Sequence, residues 1–171
     1  MTKNSRFTSN ALRLAVLALA IAGSGGAIAA SISADAKSTV VAPIQIAKSA
    51  DLAFGTFAAG ATGGTVAITT GGARSKTGDV LLLATNAGAA AQFDVSGQGG
   101  LTYSINLATT PLSNGSGGTM NFTAVSSLAS GTLSAGATGT QSFTVGGELA
   151  VGAAQAPGEY TGAVTATVEY N

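Results

Sequence analysis

Leu-Thr-Tyr-Ser-Ile-Asn-Leu, residues 101–107, alternates without a break. Leu101, Tyr103, Ile105 and Leu107 share one parity, and Thr102, Ser104 and Asn106 the other. Successive side chains of an extended chain point to opposite faces, so the heptad predicts a strand with one face in a core and one in solvent. The same period runs outward in both directions. Leu52 and Phe54 pair within Asp51–Phe57, Val66 with Ile68, Phe93 with Val95, and Met120 and Phe122 with Ala124. Asp79–Ala84 (DVLLLA) is a continuous apolar run, the pattern of a central strand. Phe143, Val145, Leu149 and Val151 alternate around Gly146-Gly147, a pair that marks either a tight turn or a kink in one long strand. Tyr160–Tyr170 closes the series.

Between these runs lie turn residues, among them Asn114-Gly115 and the pairs Gly63-Gly64, Gly71-Gly72, Gly99-Gly100 and Gly117-Gly118. Beyond residue 30 no stretch sustains a helical stripe. Eight to ten short strands in about 140 residues predict an all-β, antiparallel, immunoglobulin-like sandwich. The apolar share is mostly Ala and Val, which predicts a thin core that relies on main-chain pairing.

Composition removes whole classes of chemistry. The 171 residues hold no Cys and no His, and only 8% are charged. Disulfides, thiolate ligands, Cys nucleophiles and imidazole bases are excluded. Seven cations against seven acids leave no basic footprint for nucleic acid. Among the remaining candidates, Ser75-Lys76 reads as a solvated turn before a catalytic dyad. Glu148 and Glu159 are single carboxylates without an acid/base motif, and Tyr103, Tyr160 and Tyr170 are too dispersed for a stacking platform. The glycine pairs lack the G-K-[ST] ending of a phosphate loop. No catalytic residue, metal site or cofactor is expected, and the chain reads as a non-enzyme.

Residues 1–29 read as a secretory signal. Lys3, Arg6 and Arg13 form a positive n-region, Leu14–Ala22 a short apolar h-region, and Ala27-Ile28-Ala29 an A-x-A site with cleavage between Ala29 and Ala30. The apolar run is too short for the roughly 20 residues of a membrane span. The chain from Ala30 keeps Lys37, Lys48, Arg74 and Lys76 against seven acids, a net charge of −3, and no transmembrane segment is expected in it.

The two ends carry the functional information. In residues 30–43, Ile32, Ala34, Ala36, Ser38 and Val40 fall on one side of an extended strand, and Ser33, Asp35, Lys37 and Thr39 on the other. Pro43 separates this arm from a domain over 44–171, because proline belongs at a strand edge or break. The arm reads as a strand that completes the sheet of a neighbouring copy, against the alternatives of a first strand of its own domain or a frayed terminus. At the other end Val164, Ala166, Val168 and Tyr170 alternate to the penultimate residue, and Gly158 stands fourteenth from the end.

A penultimate Tyr, an alternating last strand and a Gly fourteen residues from the C-terminus resemble the pilins of the chaperone–usher pathway. Val41–Gly55 (VAPIQIAKSADLAFG), Gly64–Ile68, Gly72-Ala73-Arg74, Ala91–Val95, Thr102-Tyr103 and Val145–Val151 look like the bacterial domain-of-unknown-function family 4402. Its members are often labelled Mat/Ecp-type fimbrial major subunits. The resemblance covers roughly residues 38–171. Many pilins carry a disulfide, and this chain departs from them there. The resemblance implies a fold lacking its last strand, capture by a periplasmic chaperone, passage through an outer-membrane usher, and homopolymerisation by donor-strand exchange into a fimbria. The implied location is the periplasm in transit and then the surface of a Gram-negative bacterium, with a role in cell adhesion. The competing reading is a secreted monomeric β-sandwich that binds glycan or surface polymer.

Overall fold

The computed structural model describes residues 28–171, and among them there are eleven strands and no helix. They are β1 (Gln45–Ala50), β2 (Phe57–Ile68), β3 (Arg74–Leu82), β4 (Ala91–Gly97), β5 (Thr102–Thr109), β6 (Leu112–Ser113), β7 (Thr119–Met120), β8 (Phe122–Ser126), β9 (Ser130–Thr132), β10 (Gly139–Val151) and β11 (Val164–Tyr170). A six-stranded sheet runs β1-β4-β10-β2-β3, with β8 also on β10; a three-stranded sheet runs β11-β5-β9, and β6 pairs β7. Every ladder is antiparallel. This is the expected all-β architecture of packed antiparallel sheets.

The sheets meet through the alternating residues. Phe93, Val95, Phe143 and Val145 of the large sheet pack with Tyr103 of the small one and with Leu133. The rings of Phe93 and Phe143 stack at 5.3 Å. Toward the other pole Phe54, Val66, Ile68, Val80, Met120, Phe122, Leu149 and Val151 form a second cluster, in which Phe54 meets Phe122 edge-on at 5.7 Å.

Gly146-Gly147 is neither turn nor break. β10 continues through it for 13 residues, and Phe143, Val145, Gly147, Leu149 and Val151 keep one parity. The pair marks a change of neighbour: β10 holds β4 through Gly139–Val145 and β2 through Gly147–Val151. A Cβ on Gly146 would overlap the Ile68 carbonyl and press on the Thr69–Thr70 backbone, so the end of β2 requires glycine there.

Three expected elements differ. DVLLLA is not a central strand but the end of β3, the edge of its sheet: Val80 alone is fully buried, and Leu81 is 64% exposed. Its register with β2 places Arg74 opposite Ile68 and Lys76 opposite Val66. Cations turned toward the core side of an edge strand discourage further pairing. Asp51–Phe57 holds no regular strand before Phe57, only the bridge Ala53–Ala89, because Gly55 turns the chain at φ +74°. Thr119–Ala124 is split at Asn121 into β7 and β8, with Met120 and Phe122 both buried.

Candidate functional site

The site grows out of what β11 and β1 leave open. Among the described residues β11 pairs with β5 alone and β1 with β4 alone, so each presents a free backbone edge. The inward residues of β11, Val164, Ala166, Val168 and Tyr170, are only half-buried, while Thr165, Thr167 and Glu169 face solvent. Ile44 and Ile46 are likewise half-buried against the same core. Apolar residues that pack on a core and still leave part of their surface open line an incomplete wall.

At the pole where β1 ends and β11 begins, the wall opens into a groove of about 1110 Å³. Phe54, Phe57, Phe93, Met120, Phe122 and Leu149 give it an apolar lining. One rim carries the ion pair Lys48–Asp51 at 2.5 Å. The other is the segment Gln155–Ala163, which leads into β11.

Tyr160 organises that second rim. Its hydroxyl donates to the Ala156 carbonyl at 2.9 Å and accepts from Gln155 Nε2 at 2.8 Å and Asn114 Nδ2 at 3.3 Å. Ser113 and Thr161 exchange backbone hydrogen bonds at 2.8 and 3.0 Å. Gly158 lies within this rim at φ 151°, a backbone conformation that side chains rarely adopt.

Tyr170 closes the far end of β11. Its hydroxyl accepts from the Gln98 amide at 2.6 Å and donates to the Ala42 carbonyl at 3.0 Å. A Cβ on Gly97 would overlap this hydroxyl, so the bare glycine admits the ring. The last strand is thereby tied to the end of β4 and to the backbone just before β1.

The sequence-predicted residues fall into three groups. Gly158, Val164, Ala166, Val168 and Tyr170 lie along one continuous feature, the rim and the open strand. Ile32, Ala34, Ala36, Ser38 and Val40 lie in a described segment that forms no strand, and all five are exposed, Ile32 and Val40 by more than nine-tenths. Ala29 and Ala30 are exposed too, whereas the n-region, the h-region and Ala27 fall outside the described residues. Ser75 and Lys76 are neighbours within β3 and therefore point to opposite faces. Glu148 borders a shallow outer depression and Glu159 the groove, so the two are not brought together.

Sequence reasoning missed the groove itself. Phe54, Met120, Phe122 and Leu149 alternate like any core residues, and only long-range pairing shows that they border an opening. It also missed Ala42 and Gln98 as partners of Tyr170.

Two titratable groups are perturbed, both away from the groove. Ser142 and Ser49 donate to the Asp94 carboxylate and hold its pKa below the usual carboxylate value, the Ser142 bond measuring 2.5 Å. Burial pushes the Tyr103 phenol up, and its hydroxyl donates to Gln141 Oε1 at 2.9 Å. Among the described residues no three acidic side chains converge as a metal site would need. What the groove offers is an apolar trough beside free strand edges, which suits an extended apolar segment.

A family model described as a domain of unknown function, DUF4402, matches residues 44–170. No curated protein and no solved structure matches the chain.

Proposed function

The chain belongs to the DUF4402 family, and from that premise we propose that it is a structural subunit of a surface fimbria, assembled by strand donation between copies. The observation that carries this reading is the incomplete wall: an apolar groove beside β11 and β1, whose outer backbone edges have no partner among the described residues. A free edge backed by exposed core is an aggregation hazard unless a strand covers it. Strand addition supplies main-chain bonds for affinity and side-chain pockets for register.

The same chain carries a candidate strand. Ile32–Val40 alternates, is exposed, and forms no ladder of its own. At roughly 3.3 Å per residue it spans about 26 Å, against about 20 Å for β11. Donated by a second copy, it would face the trough with Ile32, Ala34, Ala36, Ser38 and Val40. Full burial of Ile32 and Val40 contributes about 1.5–3 kcal/mol each, and the backbone ladder supplies much of the rest. In this reading a periplasmic chaperone covers the groove first, an outer-membrane usher exports the subunit, and the protein works by assembly and not by catalysis.

The test is the state of the purified chain that starts at Ala30. Electron microscopy and size exclusion should show filaments or ladders, and a synthetic peptide of residues 30–41 should shorten them. A monodisperse monomer that ignores the peptide would refute the reading.

A further inference from the structure

Two sequence motifs separated by the whole of β2, Phe54-Gly55-Thr56 and Gly72-Ala73-Arg74, meet behind the groove. The turn Thr69–Gly72 reverses the chain through the Gly72 amide donating to the Thr69 carbonyl at 2.9 Å, with Gly72 at φ +83°. That turn sets Arg74 opposite Ile68, and directly opposed residues of a ladder share a face. Ile68 is buried, so Arg74 is carried to the inner side of the sheet at its rim.

There its guanidinium meets four carbonyls. Nη1 donates to Asn86 at 2.7 Å, Thr56 at 3.2 Å and Phe54 at 3.3 Å, and Nη2 donates to Leu83 at 2.5 Å. Among the described residues no carboxylate lies within ion-pair distance of it, since the one pair found is Lys48–Asp51. The charge is therefore balanced by peptide dipoles from two stretches, 54–56 and 83–86. Gly55 makes the space: a Cβ there would overlap both Nη1 and the Asn86 carbonyl. Phe54, Gly55, Thr56, Phe57 and Asn86 all line the groove, so the guanidinium stands directly behind one wall.

We propose that Arg74 is the positioning residue of this groove, holding the Phe54–Phe57 wall rigid so that it admits an extended segment with small inward side chains and rejects larger ones. The proposal rests on the assembly reading and adds a source of its selectivity. The guanidinium holds the four carbonyls from two nitrogens, three on Nη1 and Leu83 on Nη2, whereas a lysine ammonium has three donors on one atom and cannot hold the fourth carbonyl as well. The inward residues Ala34, Ala36 and Ser38 are of the small type a fixed wall would select.

The experiment uses the chain from Ala30, as wild type and as Arg74→Lys. Labelled peptides of residues 30–41 carry the native sequence, Ala34→Leu or Ala36→Leu, and binding is measured well below the melting temperature of both proteins. Wild type should bind the native peptide at least tenfold more tightly than the poorer leucine peptide. Arg74→Lys should bind the native peptide about tenfold more weakly, with discrimination below threefold. Equal loss for all peptides, with discrimination intact, would show that Arg74 supports the fold alone and overturn the proposal. Unchanged binding by Arg74→Lys would overturn it too, leaving the assembly reading intact. Failure of wild type to bind any peptide would remove the assembly reading, and the proposal with it. Amide exchange on wild type keeps the test open if Arg74→Lys does not fold. The Thr56 and Leu83 amides, which donate to Asn86 and Thr56 at 3.1 and 3.0 Å, should be protected before any peptide is added. Protection that arises only with peptide would show an unheld wall and overturn the proposal.

Discussion

Replacing Tyr170 with Phe removes one oxygen and leaves the ring in place. That oxygen makes two hydrogen bonds, accepting from Gln98 N at 2.6 Å and donating to Ala42 O at 3.0 Å. A hydrogen bond of this kind contributes about 1 kcal/mol net, and an amide left without a partner in a half-buried position adds to the loss. The expected cost is about 2 kcal/mol, or roughly 6–8 °C of melting temperature for a domain of this size. The effect is also local. The Gln98 amide should exchange at least tenfold faster in Tyr170→Phe, while amides at the centre of β10 exchange at the rate set by global stability. Tyr170→Ala should cost about 2 kcal/mol more, because the half-buried ring also packs against the core. Calorimetry and exchange on the chain from Ala30 measure both quantities. A Tyr170→Phe protein that melts within about 1 °C of wild type, with its Gln98 amide unchanged, would refute the clasp as a contributor to stability.

Ala34→Asp or Ala36→Asp should abolish filaments without changing monomer melting, since an unpaired carboxylate in an acceptor groove costs at least several kcal/mol; Asp35→Ala and Lys37→Ala should leave filament length unchanged. Gly146→Ala should lower the urea midpoint by the equivalent of about 2–4 kcal/mol, because its Cβ overlaps backbone that has little room to move. Asp94 has a depressed pKa, so its stabilising contribution is present above the ordinary carboxylate range and is lost as pH falls through the native value; the melting difference between wild type and Asp94→Asn should shrink toward zero on acidification. N-terminal sequencing of exported protein should begin at Ala30, and an intact Met1 would reject the signal reading.

The strands were legible where one face is buried and the other is wet. Phe93 and Val95, or Met120 and Phe122, announce themselves because the pleat has a period of two and the core takes one parity. The error over DVLLLA has the same root. A continuous apolar run says that a strand is sticky on both faces, and says nothing of how many neighbours it has; among the described residues β3 has a neighbour on one side only, and Leu81 faces solvent. Gly146-Gly147 was ambiguous because glycine permits a turn and equally permits the close approach of another backbone, and only the position of Ile68 distinguishes the two. For the site, the periodicity of Val164–Tyr170 was visible, but its incomplete burial was not. That partial exposure depends on which strand lies beside β11, a matter of pairing across some sixty residues that no local pattern encodes. The role of Arg74 is not legible in its local sequence, since its four carbonyl partners come from outside its own strand.

The pairing list also sets a clock. Apart from β2–β3 and the two-residue pair β6–β7, every ladder joins strands that are not consecutive in the chain. The largest sheet has β10 at its centre, so the β1-β4 pair and the β2-β3 hairpin remain separate until residues 139–151 arrive, and β5, paired first with β9, gains its longer ladder only with 164–170. Contacts this distant in sequence must meet their loop-closure entropy before any burial offsets it, which places folding in the millisecond-to-second range and not in microseconds. A growing chain of this topology has little that it can fold early. Neither sheet is complete until the last long strands, β10 and β11, have been made.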